Sequence, residues 1–163
     1  MQARVDGFSV NHVGDYEDWG ALRADAQRYW HDYVAAAHPQ RVARCAARFI
    51  NRIEIPAGDD LKAHMQTRPE IGDKLPQLMD DYFLRIVVPF AKGRRAVITQ
   101  TAIPLEEGIV STRRSILLDI DAFTEIDLAP DSPDLWAELE ELRTVKNSCF
   151  FNSLQPETWR TYQ

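Results

Sequence analysis

Apolar positions along this chain recur in two rhythms. Trp19, Leu22, Ala26, Trp30, Tyr33 and Ala37 follow one another at three- and four-residue steps. That spacing predicts an amphipathic helix of about five turns. Asp15 offers its N-cap, with Glu17 and Asp18 in the first turn, where carboxylates favour the helix dipole. His38-Pro39 ends it, because the residue before a proline avoids the helical region. A second stripe, Leu135, Leu139, Leu142, Val145 and Cys149, follows the start signal Asp131-Ser132-Pro133-Asp134. It predicts another long helix, running to Asn152-Ser153.

Elsewhere the rhythm is two. Residues 4–13, 45–56, 81–90, 94–103 and 110–122 read as strands. In 4–13, Phe8, Val10 and His12 alternate with Ser9, Asn11 and Val13, and Gly7 interrupts. In 45–56, Phe49, Ile53 and Ile55 share one face, while Arg48, Ile50, Arg52 and Glu54 share the other. Asn51 falls on the apolar side and needs hydrogen-bond partners there. In 110–122, Ile116, Leu118, Ile120 and Ala122 oppose Ser115, Leu117, Asp119 and Asp121. Lys92-Gly93 and Glu106-Glu107-Gly108 are hairpin signals. Residues 57–79 are a connector. It holds a short helix from Gly58-Asp59-Asp60-Leu61 to Arg68-Pro69 and a turn at Leu75-Pro76-Gln77-Leu78-Met79. The order β-α-β-(short α)-β-β-β-α predicts an α+β fold. It is an antiparallel sheet of about five strands with two long helices packed on one face. In element order it resembles the helix-grip and TATA-binding-protein-like arrangements.

Composition narrows the class. The chain has 163 residues, read as a single domain over 1–163. That length buries roughly 70% of the unfolded surface, so no disulfide staple is required. The net charge of −6 opposes a phosphate backbone, and the basic clusters Lys92-Gly93-Arg94-Arg95 and Arg113-Arg114 are short. Nucleic acid is therefore not an expected partner. Cys45 and Cys149 lie far apart with no CxxC, which predicts reduced, buried thiols and a cytoplasmic protein. The first six residues have no apolar signal core, and no run approaches the ~18 apolar residues of a membrane span. No membrane partner is expected.

Six pieces of the chain, in order, resemble a sporadically distributed bacterial family of uncharacterised proteins, the TIGR04255 family. They are Tyr16-Glu17-Asp18-Trp19, Arg48-Phe49-Ile50-Asn51-Arg52-Ile53-Glu54-Ile55-Pro56, and Pro69-Glu70-Ile71. They continue with Leu117-Leu118-Asp119-Ile120-Asp121-Ala122-Phe123, the run Leu139-Glu140-Glu141-Leu142-Arg143-Thr144-Val145-Lys146-Asn147, and Phe150-Phe151-Asn152-Ser153-Leu154. Their order and spacing carry the likeness. Members of that family are usually longer before the first strand, so the resemblance implies a shortened member. Phe49 stands where the family often has tyrosine. The resemblance implies bacterial or phage origin and fold continuity, and brings no activity. A sporadic family suits an accessory role such as defence, counter-defence or toxin neutralisation.

Candidate chemistry is sparse. Asp119 and Asp121 point to one strand face, where two carboxylates suit a divalent metal for phosphoester hydrolysis. The competing expectation is a solvated face on which Arg52, Arg85 or Arg113 offsets them. Asn51, Arg85 and Gln100 are candidates for lining a small-ligand cavity under the sheet. His12, His31, His38 and His64 show no ligand spacing, and no GxSxG, GxGxxG or Walker loop occurs, so no cofactor is expected. Trp19, Trp30 and Trp136 fit helix faces. Trp159 lies in a tail, and with Phe150 and Phe151 it forms a candidate docking patch, since aromatics are enriched at interfaces. The leading expectation is a non-enzymatic accessory protein that binds a protein partner or forms a homodimer. A small-ligand binder is the alternative, and an Asp119/Asp121 metal-dependent hydrolase a further one.

Overall fold

Alternation of apolar and polar residues carries through four strands that build the larger sheet. They are β3 (Val42–Pro56), β4 (Phe83–Pro89), β5 (Arg95–Ile103) and β6 (Arg113–Leu128), after two short strands, β1 (Gln2–Arg4) and β2 (Gly7–Ser9). Three helices complete the fold: α1 (Trp19–Ala37), α2 (Asp134–Ser153) and α3 (Pro156–Trp159). A computed structural model describes residues 1–14, 18–76, 79, 81–104 and 111–162. Expectations placed on Asp15, Tyr16, Glu17, Gln77, Leu78 and the Glu106-Glu107-Gly108 turn lie outside those residues. The α+β class is borne out: helices accompany a four-stranded antiparallel sheet of order β3-β6-β5-β4 and a separate two-stranded sheet, β1-β2.

The chain divides into two compact units, Met1–Val42 with Asp127–Ser132, and Ala43–Ile126 with Pro133–Gln163. In the first, the segment expected as one strand over 4–13 folds instead as a hairpin. Arg4 pairs with Gly7 across the two residues Val5 and Asp6. The glycine that weakened the strand pattern marks the return of a tight turn. Asp18 caps α1, its side chain accepting from Ala21 N at 2.8 Å. His38 ends the helix in the left-handed conformation, with its N–H donated to Val34 O. The helical stripe packs on β2: the Phe8 ring lies 5.6 Å from Trp30 and 5.4 Å from Tyr33. Trp30 Nε1 donates to Pro130 O, and Tyr33 Oη to Arg4 O.

The second unit is organised by the sheet. One face of it is largely apolar, with Ile53 and Ile55 of β3, Ile116, Leu118 and Ile120 of β6, and Ile98 of β5 buried there beside the amide of Gln100. β5 and β6 hold this in register through pairs such as Ile98↔Ile120 and Gln100↔Leu118. α2 closes the layer with Leu135, Leu142, Val145 and Cys149, all buried, as its sequence stripe requires. β6 runs past the expected end at residue 122 to Leu128, because Thr124 continues the inward set as a buried residue. The Lys92-Gly93 hairpin signal holds: both residues have positive φ, 58° and 76°, and Phe90 N donates to Arg94 O at 2.8 Å.

Candidate functional site

The outward sheet face brings Asp119 and Asp121 together with arginines, from the strand that carries Arg52 but at other positions along it. Arg48 of β3 donates through Nε to Asp119 Oδ1 at 2.9 Å and through its terminal nitrogen to the other oxygen. Arg44 holds Asp121 at 3.0 Å. The expected counter-charges Arg52, Arg85 and Arg113 are placed elsewhere. Arg52 binds Glu54 and the Ser115 hydroxyl. Arg113 donates to Glu54 O at 3.2 Å. Arg85 stands on β4, separated from Asp119 by Thr99 in the strand pairing. The Ser115 hydroxyl, with Arg52 adding, holds the Glu54 carboxyl below its usual range. Two arginines four residues apart on β3 thus hold two acids two residues apart on β6, the cross-strand pairing that stabilises sheets.

Geometry weighs against a metal at this place. A cation would have to displace a two-point guanidinium contact on Asp119. Among the described residues, no three His, Cys, Asp or Glu side chains come together as a ligand group. Asp119→Asn is expected to cost at most about 1 kcal/mol, the scale of a solvent-screened ion pair. The thermal midpoint of the unsubstituted protein should not respond to millimolar Mg²⁺. A rise with Mg²⁺ that Asp119→Asn abolishes would restore the metal reading.

The three ligand candidates do not share a surface. Asn51 and Gln100 lie on the apolar face, one on each side of β6. Asn51 Nδ2 donates to Leu118 O at 3.2 Å, and Gln100 pairs with Leu118 across the ladder. Gln100 is fully buried and donates to Thr67 O at 2.8 Å, while its Oε1 has no partner among the described residues. Arg85 is exposed on the opposite face, opposite Thr99. Asn51 and Gln100 therefore tie the inner layer to neighbouring backbone, the usual fate of buried amides.

Cys45 and Cys149 are both buried and free. Burial, and the nearby charge of Glu138, push the Cys45 thiol up to about 11, and burial raises Cys149 too. Neither is poised as a thiolate. Lys146 of α2 sits with Nζ 3.8 Å from the Phe49 ring centre. Burial, with Arg143 adding, pulls its ammonium down to about 8.

The three C-terminal aromatics do meet. Phe150 and Phe151 stand edge-to-face at 5.3 Å, and Phe151 meets Trp159 in the same manner at 5.3 Å. Phe151 is 43% exposed. The tail that carries Trp159 is held from below by contacts that no sequence spacing announced. Gln155 N donates to His64 O, and Met65 bridges to Leu154. His64 lies between Thr158 Oγ1 at 3.2 Å and Asp59 Oδ2 at 2.9 Å. The hydroxyl–imidazole–carboxylate order is that of a nucleophilic relay, but Thr158 is buried, so the chain of contacts works as a latch on the tail. Tyr162 then reaches β3, where its Oη accepts the Glu54 N–H at 2.7 Å.

No family model, no curated protein and no solved structure matches this chain.

Proposed function

We propose that this chain works by binding a protein partner, through an aromatic surface at its C-terminal end. The observation that carries the reading is the Phe150-Phe151-Trp159 cluster. Two aromatic pairs stack edge-to-face, and Phe151, near the end of α2, stays open to solvent beside a latched tail that carries Trp159. Rigid aromatics presented this way lose little entropy on docking and dominate interface energetics. The remaining chemistry favours this over catalysis: the paired acids are engaged by arginines, and the thiols are buried and protonated. Among the described residues no helix is long and apolar enough to cross a membrane. The family resemblance, and with it an accessory role in defence, counter-defence or toxin neutralisation, fits a binding protein.

Native mass spectrometry on gently purified protein tests this. A stoichiometric second polypeptide, a copy of the chain or a different one, is expected at low micromolar concentration. Phe151→Ser should remove it in a protein that still folds, at a stability cost of about 1–3 kcal/mol for two lost edge-to-face contacts. A monomer with no bound chain, unchanged in Phe151→Ser, would overturn the reading.

A further inference from the structure

The strand order leaves two edges, β3 and β4, and they are built differently. Along β3, Arg44, Arg48 and Arg52 recur every four residues on one face, and the Tyr162 hydroxyl occupies the Glu54 N–H. Charges and covering side chains are the ordinary defence of a sheet edge. Among the described residues β4 has little of either. Its seven residues, Phe-Leu-Arg-Ile-Val-Val-Pro, hold one charge, and none of them is buried. The adjacent β5 buries Ala96, Ile98, Gln100 and Ala102. On the outward face of β4, Phe83 is 70% and Val87 48% exposed. Leu84, Ile86 and Val88 face inward yet are only half-buried, so the apolar layer thins out at this edge.

We propose that β4 is a strand-addition site, and that its occupant is an extended segment of a partner protein reading apolar, acidic, apolar at alternate positions. This rests on the reading of the chain as a protein-binding module and names the chemistry of one thing it binds. Strand addition draws affinity from main-chain hydrogen bonds and specificity from alternate side chains. β4 offers Phe83, Arg85 and Val87 in that order on the outward face. Among the described residues Arg85 makes no ion pair: across Thr99, Asp119 is already taken by Arg48. An added strand sets its residues roughly 5 Å from those opposite, so a central carboxylate meets Arg85 while its apolar neighbours cover Phe83 and Val87.

A second copy of β4 fits less well. In an antiparallel self-pairing confined to β4 the outward residue opposite Arg85 is Arg85 itself, Phe83, Val87 or Pro89, none of them an acid. A seven-residue strand also buries far less than the roughly 1,200 Å² of a stable dimer.

The test uses the full chain and two fluorescein-labelled peptides, Thr-Val-Thr-Glu-Thr-Val-Thr and its twin with lysine in place of glutamate. Fluorescence anisotropy at low salt should show the acidic peptide bound about tenfold more tightly or better, a preference made of one attraction and one repulsion. Arg85→Glu is exposed, should keep its thermal midpoint, and should invert that preference. Hydrogen exchange should show β4 amides gaining protection with the acidic peptide alone. Equal binding of both peptides, binding of neither, or a preference unchanged in Arg85→Glu would overturn the proposal. So would a homodimer that Arg85→Glu disrupts. Phe151→Ser, which tests the aromatic surface, should leave the peptide preference intact, so the two readings fail separately.

Discussion

Replacing Glu138 by alanine is expected to destabilise the fold by about 3 kcal/mol, the cost of leaving a buried charge without its partner. Arg94 directly follows the β4–β5 turn and is buried, although it is charged. Its guanidinium takes both oxygens of Glu138 on α2, at 2.6 and 2.8 Å, and a third contact reaches Glu141 at 3.3 Å. The bond to Glu138 is the largest cause raising the Arg94 pKa above its already high value. With Glu138 gone, the outer Glu141 holds the guanidinium from one side only. The double variant Arg94→Met/Glu138→Leu should recover most of the loss, because apolar groups of similar volume replace a buried ion pair at little cost. Urea unfolding of the two variants, with unchanged slopes, decides the matter. A single variant costing under about 1 kcal/mol would place this pair with solvent-screened ones, where partners contribute little.

That ion pair also shows where the sequence stops speaking. Lys92-Gly93-Arg94-Arg95 reads as a basic cluster beside a turn, and the turn is there. Nothing local distinguishes Arg94 from Arg95. Strand alternation turns Arg94 towards α2, while Arg95 lies outward, opposite Phe123. The choice depends on a helix 44 residues further on. The same limit governs Asp119 and Asp121. Their common face was legible from a period of two, and so was the apolar face that opposes it. Their partners were not, because register between β3 and β6 is set by packing of the whole layer rather than by spacing. Arg44 and Arg48 therefore pair where Arg52, Arg85 and Arg113 were expected. The latch at His64 was invisible for a related reason: Thr158 lies 94 residues away, and histidine spacing along the chain cannot report it. By contrast the meeting of Phe150, Phe151 and Trp159 was readable, since a helix end followed by Gln155-Pro156 leaves the tail few ways to return. Burial supplies the remaining distinction between the two edges. The run from Phe83 to Val88 looks like any core strand in sequence, and only the strand order shows that it ends the sheet.

Leu118→Ala is expected to cost about 4 kcal/mol, towards the upper end of buried leucine truncations. Leu118 is fully buried on β6, an interior strand of the sheet, and pairs with Gln100 of β5. Its carbonyl accepts the Asn51 amide, which anchors the neighbouring strand. Side chains around it are also fully buried and held in register by ladders on both flanks, so collapse into the cavity is restricted. Leu118→Met conserves volume and should cost less than about 1.5 kcal/mol. Phe83→Ala on β4 removes a larger side chain, but one already in water, and should stay within about 0.5 kcal/mol. Chemical denaturation of the three variants separates the core from the edge. If Phe83→Ala costs as much as Leu118→Ala, Phe83 is covered within the chain itself, and β4 has no free face to offer a partner. The expected order, a costly interior leucine and an almost free edge phenylalanine, identifies Phe83 as apolar surface that folding does not use and a partner strand can.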